Sequence, residues 1–154
     1  MKLVLIRHGK SGWDSGADDF DRSLNSQGLK DAPFMAEILK KRGIIPTRII
    51  SSPALRALTT ARIMSEVLEC PVIEEKKELY LASSQIILET AMTSMEEEES
   101  LFIVGHNPGI SLAAQQILGH NVDMPTSCVV VIDLIDSGCE WKLVDSLILC
   151  PKDF

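Results

Sequence analysis

The sequence predicts an α/β protein, a three-layer α/β/α sandwich around a mostly parallel central sheet. Three observations carry this. Short apolar runs, "KLVLI", "TRIISS" and "LFIVG", read as strands, the first and last of them buried. Segments of helical spacing alternate with them, the pattern that builds a layered α/β fold. The chain has 154 residues, 45% of them hydrophobic, which suits a single domain over 1–154 with a sizeable core.

Each element follows in order. "KLVLI" opens the chain and runs straight into Arg7, His8 and Gly9. A helix is expected over about residues 29–41, bent or shortened by Pro33. "TRIISS" feeds a second helix, in which Leu55, Leu58, Ala61, Ile63 and Leu68 fall near one side. Ser52 and Pro53 suit its N-cap and first helical position. "VIEE" reads as a short strand, and a third helix covers about residues 83–95. The acidic run "MEEEES" then reads as a solvated helix end. "LFIVG" is followed by the helix "NPGISLAAQQILG", opened by Asn107 and Pro108 and closed by Gly119. "CVVVIDL" and "WKLVDSLIL" are two late strands joined by a turn at "DSGC".

Composition narrows the function. With 15 basic and 22 acidic residues the formal net charge is -7, which argues against nucleic acid or an anionic membrane surface as partner. No apolar stretch approaches the roughly 20 residues of a membrane span, and the first apolar run is too short for a signal peptide. A cytoplasmic monomer is the expectation. Cys70, Cys128, Cys139 and Cys150 form no C-x-x-C pair, so free thiols are expected.

Sheets of this class bind ligands at the carboxyl ends of their strands. "KLVLI" ends in Arg7-His8-Gly9, "TRIISS" just before Pro53 and Arg56, and "LFIVG" in Gly105-His106-Asn107. Three distant segments thus deliver a cation or an imidazole to one edge. Arginine forks match phosphate oxygens, helix openings near Pro53 and Asn107 add N–H donors, and a neutral imidazole among them can attack phosphorus. Gly9 permits a tight turn or close approach of substrate. Alone, each residue has a plainer reading: Arg7-His8 a surface pair, Arg56 an exposed helix residue, His106 a satisfied core histidine. Arg56 in a first helical turn nevertheless calls for an anion nearby. A zinc site built on His8, His106 and a carboxylate of "DSGADDFD" is disfavoured by Arg7 and Arg56, which repel a divalent cation.

"LIRHGKSGWD" resembles the Arg-His-Gly signature of the histidine phosphatase superfamily, the group that includes phosphoglycerate mutase-like enzymes. "FDRSLNSQGLKDAPFMAEIL" is similar to the family segment D-x-x-R-P-L-N-x-x-G-x-x-D-A, and "IISSPALRALTTA" to S-S-P-A-x-R-A-x-x-T-A. "ELYLAS" and "LFIVGHNPGIS" complete five motifs in order across about residues 2–111. With no room for a large cap insertion, the pattern resembles the small SixA-type phosphohistidine phosphatases. The resemblance implies a phosphoglycerate mutase-like fold and a metal-independent phosphatase without cofactor. It implies His8 as nucleophile through a phosphohistidine intermediate, and Arg7, Arg56 and His106 as holders of the phosphoryl group. Arg22, with Gly9 and Ser11, is implied at the substrate pocket.

The general acid is the open position. Leu81 stands where related sequences often have Glu, and Asp14 where mutase-type members carry Asn. Glu78, Asp18 and Asp19 are the candidates. An enzyme without a strong acid would favour P–N bonds, because imidazole leaves far more easily than a serine alkoxide. The expected substrate is a protein phosphohistidine. The alternatives are a small phosphomonoester, or a phosphate-binding module without catalysis.

Overall fold

The structure is a computed structural model and describes residues 1–13, 16–95 and 98–154. Strand β1 (Lys2–Arg7) buries Leu3, Val4, Leu5 and Ile6 without alternation, because the sheet is covered on both sides. Leu3 and Leu5 face one apolar cluster, Val4 and Ile6 the other. Helices α1 (Ser26–Lys41) and α2 (Leu55–Leu68) supply Met35, Leu39, Ala57 and Met64 to the second cluster. Helices α3 (Ser84–Met95) and α4 (Gly109–Leu118) supply Ile87, Ala91, Ile110 and Ala113 to the first. This is the expected three-layer sandwich.

The six-stranded sheet also contains β2 (Arg48–Ser51), β3 (Ile73–Glu75), β4 (Ser100–Gly105), β5 (Val129–Asp136) and β6 (Trp141–Leu149). Its order is β3-β2-β4-β1-β5-β6. The first four strands in that order are parallel, and β5 and β6 add an antiparallel hairpin at one side. Because β2, β4 and β1 are neighbours, their carboxyl ends sit side by side. The register pairs Arg7 with Gly105 and Ser51 with Val104. Among the described residues no helix is long and apolar enough to cross a membrane.

Four local expectations change. Helix α1 begins at Ser26, where the Asn25 side chain accepts the Gly28 N–H at 2.9 Å, and it runs on through Pro33 to Lys41. Pro33 forfeits one helical bond, but the buried face of Ala32, Met35, Ala36 and Leu39 outweighs that loss. Helix α2 has Ala54 as its N-cap, with no side-chain cap, and Ser52 serves elsewhere. Its buried face is Ala57, Thr60, Ala61, Met64 and Leu68, rotated from the expected stripe because Leu55 stays exposed. Cys128 and Cys150 form a disulfide, with Cα atoms 4.3 Å apart. The Val129–Leu149 register sets them opposite each other, so the free-thiol reading holds only for Cys70 and Cys139. The expected acidic helix end falls partly on Glu96 and Glu97, which lie outside the described residues, as does Asp14.

Candidate active site

The ends of β1, β4 and β2 are stitched together by backbone bonds. The His8 N–H donates to Gly105 at 3.2 Å, and the Ser52 N–H to Val104 at 3.1 Å. A cleft of about 370 Å³ opens over them, and Arg7, His8, Ser11, Arg22, Arg56 and His106 all line it. The residues that sequence motifs brought forward thus meet in one place.

His8 is buried and its ring orientation is fixed. Nδ1 lies 2.7 Å from the Gly9 carbonyl oxygen, which can only accept, so Nδ1 carries the proton. Nε2 is left with its lone pair, and Arg56 Nε faces it at 3.4 Å. Burial pulls the pKa of His8 down to about 4; the Gly9 carbonyl opposes this, and Arg56, Arg7 and Arg22 add to it. The imidazole is therefore neutral at pH 7. His106 lies beside it, ring centroids 5.1 Å apart, with a pKa lowered to about 3 by burial, then by His8 and Arg56.

Gly9 serves a contact other than the expected one. Its N–H donates to Thr60 Oγ1 at 2.9 Å, and that hydroxyl donates to the Arg56 carbonyl, tying the strand end to α2. A Cβ on Gly9 would meet Leu24 at 3.1 Å and Gly28 at 3.3 Å, so the close approach is by the chain itself.

Three arginines converge on the cleft. Arg7 donates to the Met124 carbonyl at 3.1 Å, while its buried Nε has no partner among the described residues. Arg22 donates to Ser11 Oγ at 2.8 Å and stacks under Trp13, 3.5 Å from the ring centroid. Arg56 reaches Asp19 end-on, with Nη1 to its backbone oxygen at 2.6 Å and Nη2 to Oδ2 at 3.1 Å. That leaves the Nε edge of Arg56 turned toward His8.

Asp19 is the candidate acid that the fold brings in, and it is held as an anion. Arg22 Nε and Nη2 reach Oδ1 at 3.2 and 3.1 Å, and the Tyr80 hydroxyl donates to Oδ2 at 2.5 Å. The Tyr80 bond first, then Arg56 and Arg22, pull its pKa to about 2 against the burial that would raise it. Asp18 and Glu78 are exposed and do not line the cleft. Leu81 does line it, 58% exposed at φ 51°. Among the described residues no group of three or more His, Cys, Asp or Glu side chains could hold a metal ion.

A family model described as histidine phosphatase superfamily (branch 1) matches residues 3–79. The chain belongs to the histidine phosphatase superfamily. Among solved structures it is similar to a protein of Agrobacterium tumefaciens assigned as the phosphohistidine phosphatase SixA. The two are 30% identical with a TM-score of 0.82, over 95% of this chain and 96% of that one. An uncharacterised chloroplast protein of Arabidopsis thaliana is 26% identical over 92% of this chain and 69% of its own length. A 2,3-bisphosphoglycerate-dependent phosphoglycerate mutase of Dichelobacter nodosus is 37% identical over 49% of this chain, spanning 32% of the mutase.

Within this cleft, sequence reasoning missed three contributors. Ser52, read as a helix cap, bonds to His106 at 2.7 Å. Thr60 ties Gly9 to α2, and Tyr80 holds Asp19. All three stand inside quoted motifs, so the motifs marked them, but no spacing rule gave their roles.

Proposed function

We propose that this chain is a SixA-type phosphohistidine phosphatase, needing no metal, that passes a phosphoryl group from a protein-borne phosphohistidine to His8 and then to water. The observation that carries the reading is the state of Asp19. It is the one carboxylate among the described residues lining the cleft, and Arg22, Arg56 and Tyr80 occupy it as an anion. A leaving group here departs without a proton from the enzyme. An alkoxide does so poorly, whereas imidazole, whose conjugate acid has a pKa of about 6.5, does so well.

In the first step His8 Nε2 attacks phosphorus. The substrate P–N bond breaks and its electron pair stays on the departing imidazole, which leaves neutral when its other nitrogen carries a proton. Arg7, Arg22 and Arg56 offset the charge on the equatorial oxygens, the task a metal performs elsewhere. His8 keeps its Nδ1–H on the Gly9 carbonyl, so phosphorylated His8 is itself an imidazolium. In the second step water attacks phosphorus and the P–Nε2 bond breaks. The electron pair returns to Nε2, and dihydrogen phosphate leaves with both protons of the water. Both steps cleave a bond to an imidazole, so neither needs a strong acid. The exposed Trp13 and Leu81 at the rim leave the cleft open to a protein-borne group.

The likeness to phosphoglycerate mutases favours a second reading, hydrolysis of a small phosphomonoester. Phosphate release from matched phosphohistidine and phosphoserine peptides, without added metal, separates the two. Release from phosphohistidine alone, with an acid-labile phosphoenzyme that is lost in His8→Ala, is the expected result. Equal turnover of phosphoserine would move the assignment to a phosphomonoesterase. Binding without release, and no phosphoenzyme, would leave a phosphate-binding module.

A further inference from the structure

The His106 ring poses an unsolved pairing. It is 2% exposed, and its buried Nδ1 has no hydrogen-bond partner among the described residues. A buried polar atom left unpaired is costly, so a ligand group that pairs with Nδ1 is favoured. The other nitrogen, Nε2, is 2.7 Å from Ser52 Oγ. Which nitrogen carries the proton decides what the ring offers a ligand.

Ser52 resolves it. The residue is fully buried and pinned between strands: its N–H donates to Val104, and its carbonyl accepts from Ser51 Oγ at 2.8 Å. Its own Oγ accepts the Ala54 N–H at 3.2 Å, at the opening of α2. If His106 Nε2–H also donated to Oγ, the hydroxyl proton would have no acceptor among the described residues. Nδ1 would then present a lone pair to an incoming anion. If the hydroxyl instead donates to Nε2, every group of Ser52 is paired, and the imidazole proton sits on Nδ1.

We propose that the Ser52 hydroxyl is a positioning residue that fixes His106 as its Nδ1–H tautomer, so that a buried neutral imidazole donates a hydrogen bond to the phosphoryl oxygens. This rests on the phosphoryl-transfer reading above. The buried Nε of Arg7, another residue lining the cleft, likewise has no hydrogen-bond partner among the described residues and is the matching second donor. A neutral donor contributes hydrogen bonding without adding a further positive charge beside the nucleophile.

The test is long-range proton–nitrogen NMR of the His106 ring at pH 7, combined with the affinity for tungstate, a phosphoryl mimic. Wild type is expected to show a single Nδ1–H tautomer. Ser52→Ala is expected to mix or reverse it and to weaken tungstate binding on the order of tenfold. Ser52→Thr keeps the hydroxyl and is expected to restore both within about twofold. A wild-type proton on Nε2 would overturn the proposal, as would Ser52→Ala with unchanged tautomer and affinity. Should Ser52→Ala fail to fold, the wild-type tautomer and Ser52→Thr still decide. Neither readout uses turnover, so failure to hydrolyse phosphohistidine would count against the substrate reading and leave this one to stand or fall separately.

Discussion

Replacing Asp19 with Asn separates two roles that a carboxylate in this cleft can have. As a general acid it must carry a proton, yet with a pKa near 2 only about one molecule in 10⁵ does so at pH 7. As a clamp it orders Arg22 and Arg56, each at 3.1 Å. Asn retains the shape and one acceptor oxygen but loses the charge. Because the Asp19 side chain is 37% exposed, water screens both ion pairs, so the fold loses about 0.2–1 kcal/mol for each. Activity falls further, since a guanidinium displaced by about 1 Å can cost up to about 100-fold. The assay is kcat/KM of wild type and Asp19→Asn on a phosphohistidine peptide, an aryl phosphate and an alkyl phosphate. A clamp predicts the same fold-loss, about 10- to 100-fold, on all three. An acid predicts almost no loss with phosphohistidine and a loss that grows with the basicity of the leaving group. That second pattern would refute the reasoning and restore Asp19 as the proton donor.

The remaining predictions concern protons. His8 and His106 have folded pKa values near 4 and 3, below the ordinary 6.5. The unfolded chain therefore binds more protons in that window, and stability present above pH 6.5 drains away as pH falls. The loss is about 2 kcal/mol per histidine by pH 5, which denaturant midpoints at pH 7 and pH 5 would read. An unchanged midpoint would mean that these rings are not buried neutral. Asp19 adds a lower window, between its ordinary value and about 2, with stability again lost on acidification. Leu81→Glu places a carboxyl at the wall of the cleft. It should raise kcat/KM on an alkyl phosphate at least about tenfold while leaving phosphohistidine within about threefold. No gain on the alkyl ester would show that proton donation is not what the site lacks.

The motifs made the convergence of Arg7, His8, Arg56 and His106 legible, because strand ends announce themselves by an apolar run stopping at a charged residue. The mostly parallel sheet followed from the alternation of elements, whereas the order that seats β2, β4 and β1 side by side did not. What escaped was pairing that depends on three-dimensional register. Cys128 and Cys150 show no spacing signature, and only the β5–β6 pairing sets them face to face. The continuity of α1 through Pro33 is set by its buried face, a tertiary quantity that outweighs a local rule. Asp19 was legible as one of three candidate acids, with Asp18 and Glu78, but not as an anion clamped by arginines. Its fate depends on which of three neighbouring carboxylates turns toward Arg56 and Tyr80, and sequence spacing does not say.

A chain with a net charge of -7 is an unexpected host for a phosphoryl dianion, and the cleft shows how the conflict is resolved. Among the described residues Arg7, Lys10, Arg22 and Arg56 line it against one carboxylate, Asp19. Surface acids beyond about 8 Å are screened by salt, so the ligand responds to the lining more than to the total. The same arrangement governs His8, the proposed nucleophile. Burial first, then the arginines, keep a proton off His8 Nε2, so in the proposed reaction the groups that attract the phosphoryl anion also preserve the lone pair that attacks it. Recruitment by lysines on an open surface would supply the attraction without the desolvation. His8 would then stay nearer its ordinary pKa, and a sizeable share of it would be protonated as pH drops toward 6. Packing the cations around a buried imidazole makes binding and activation consequences of one cluster. This is a physical reason for the Arg-His pair at the end of β1 to be adjacent in sequence.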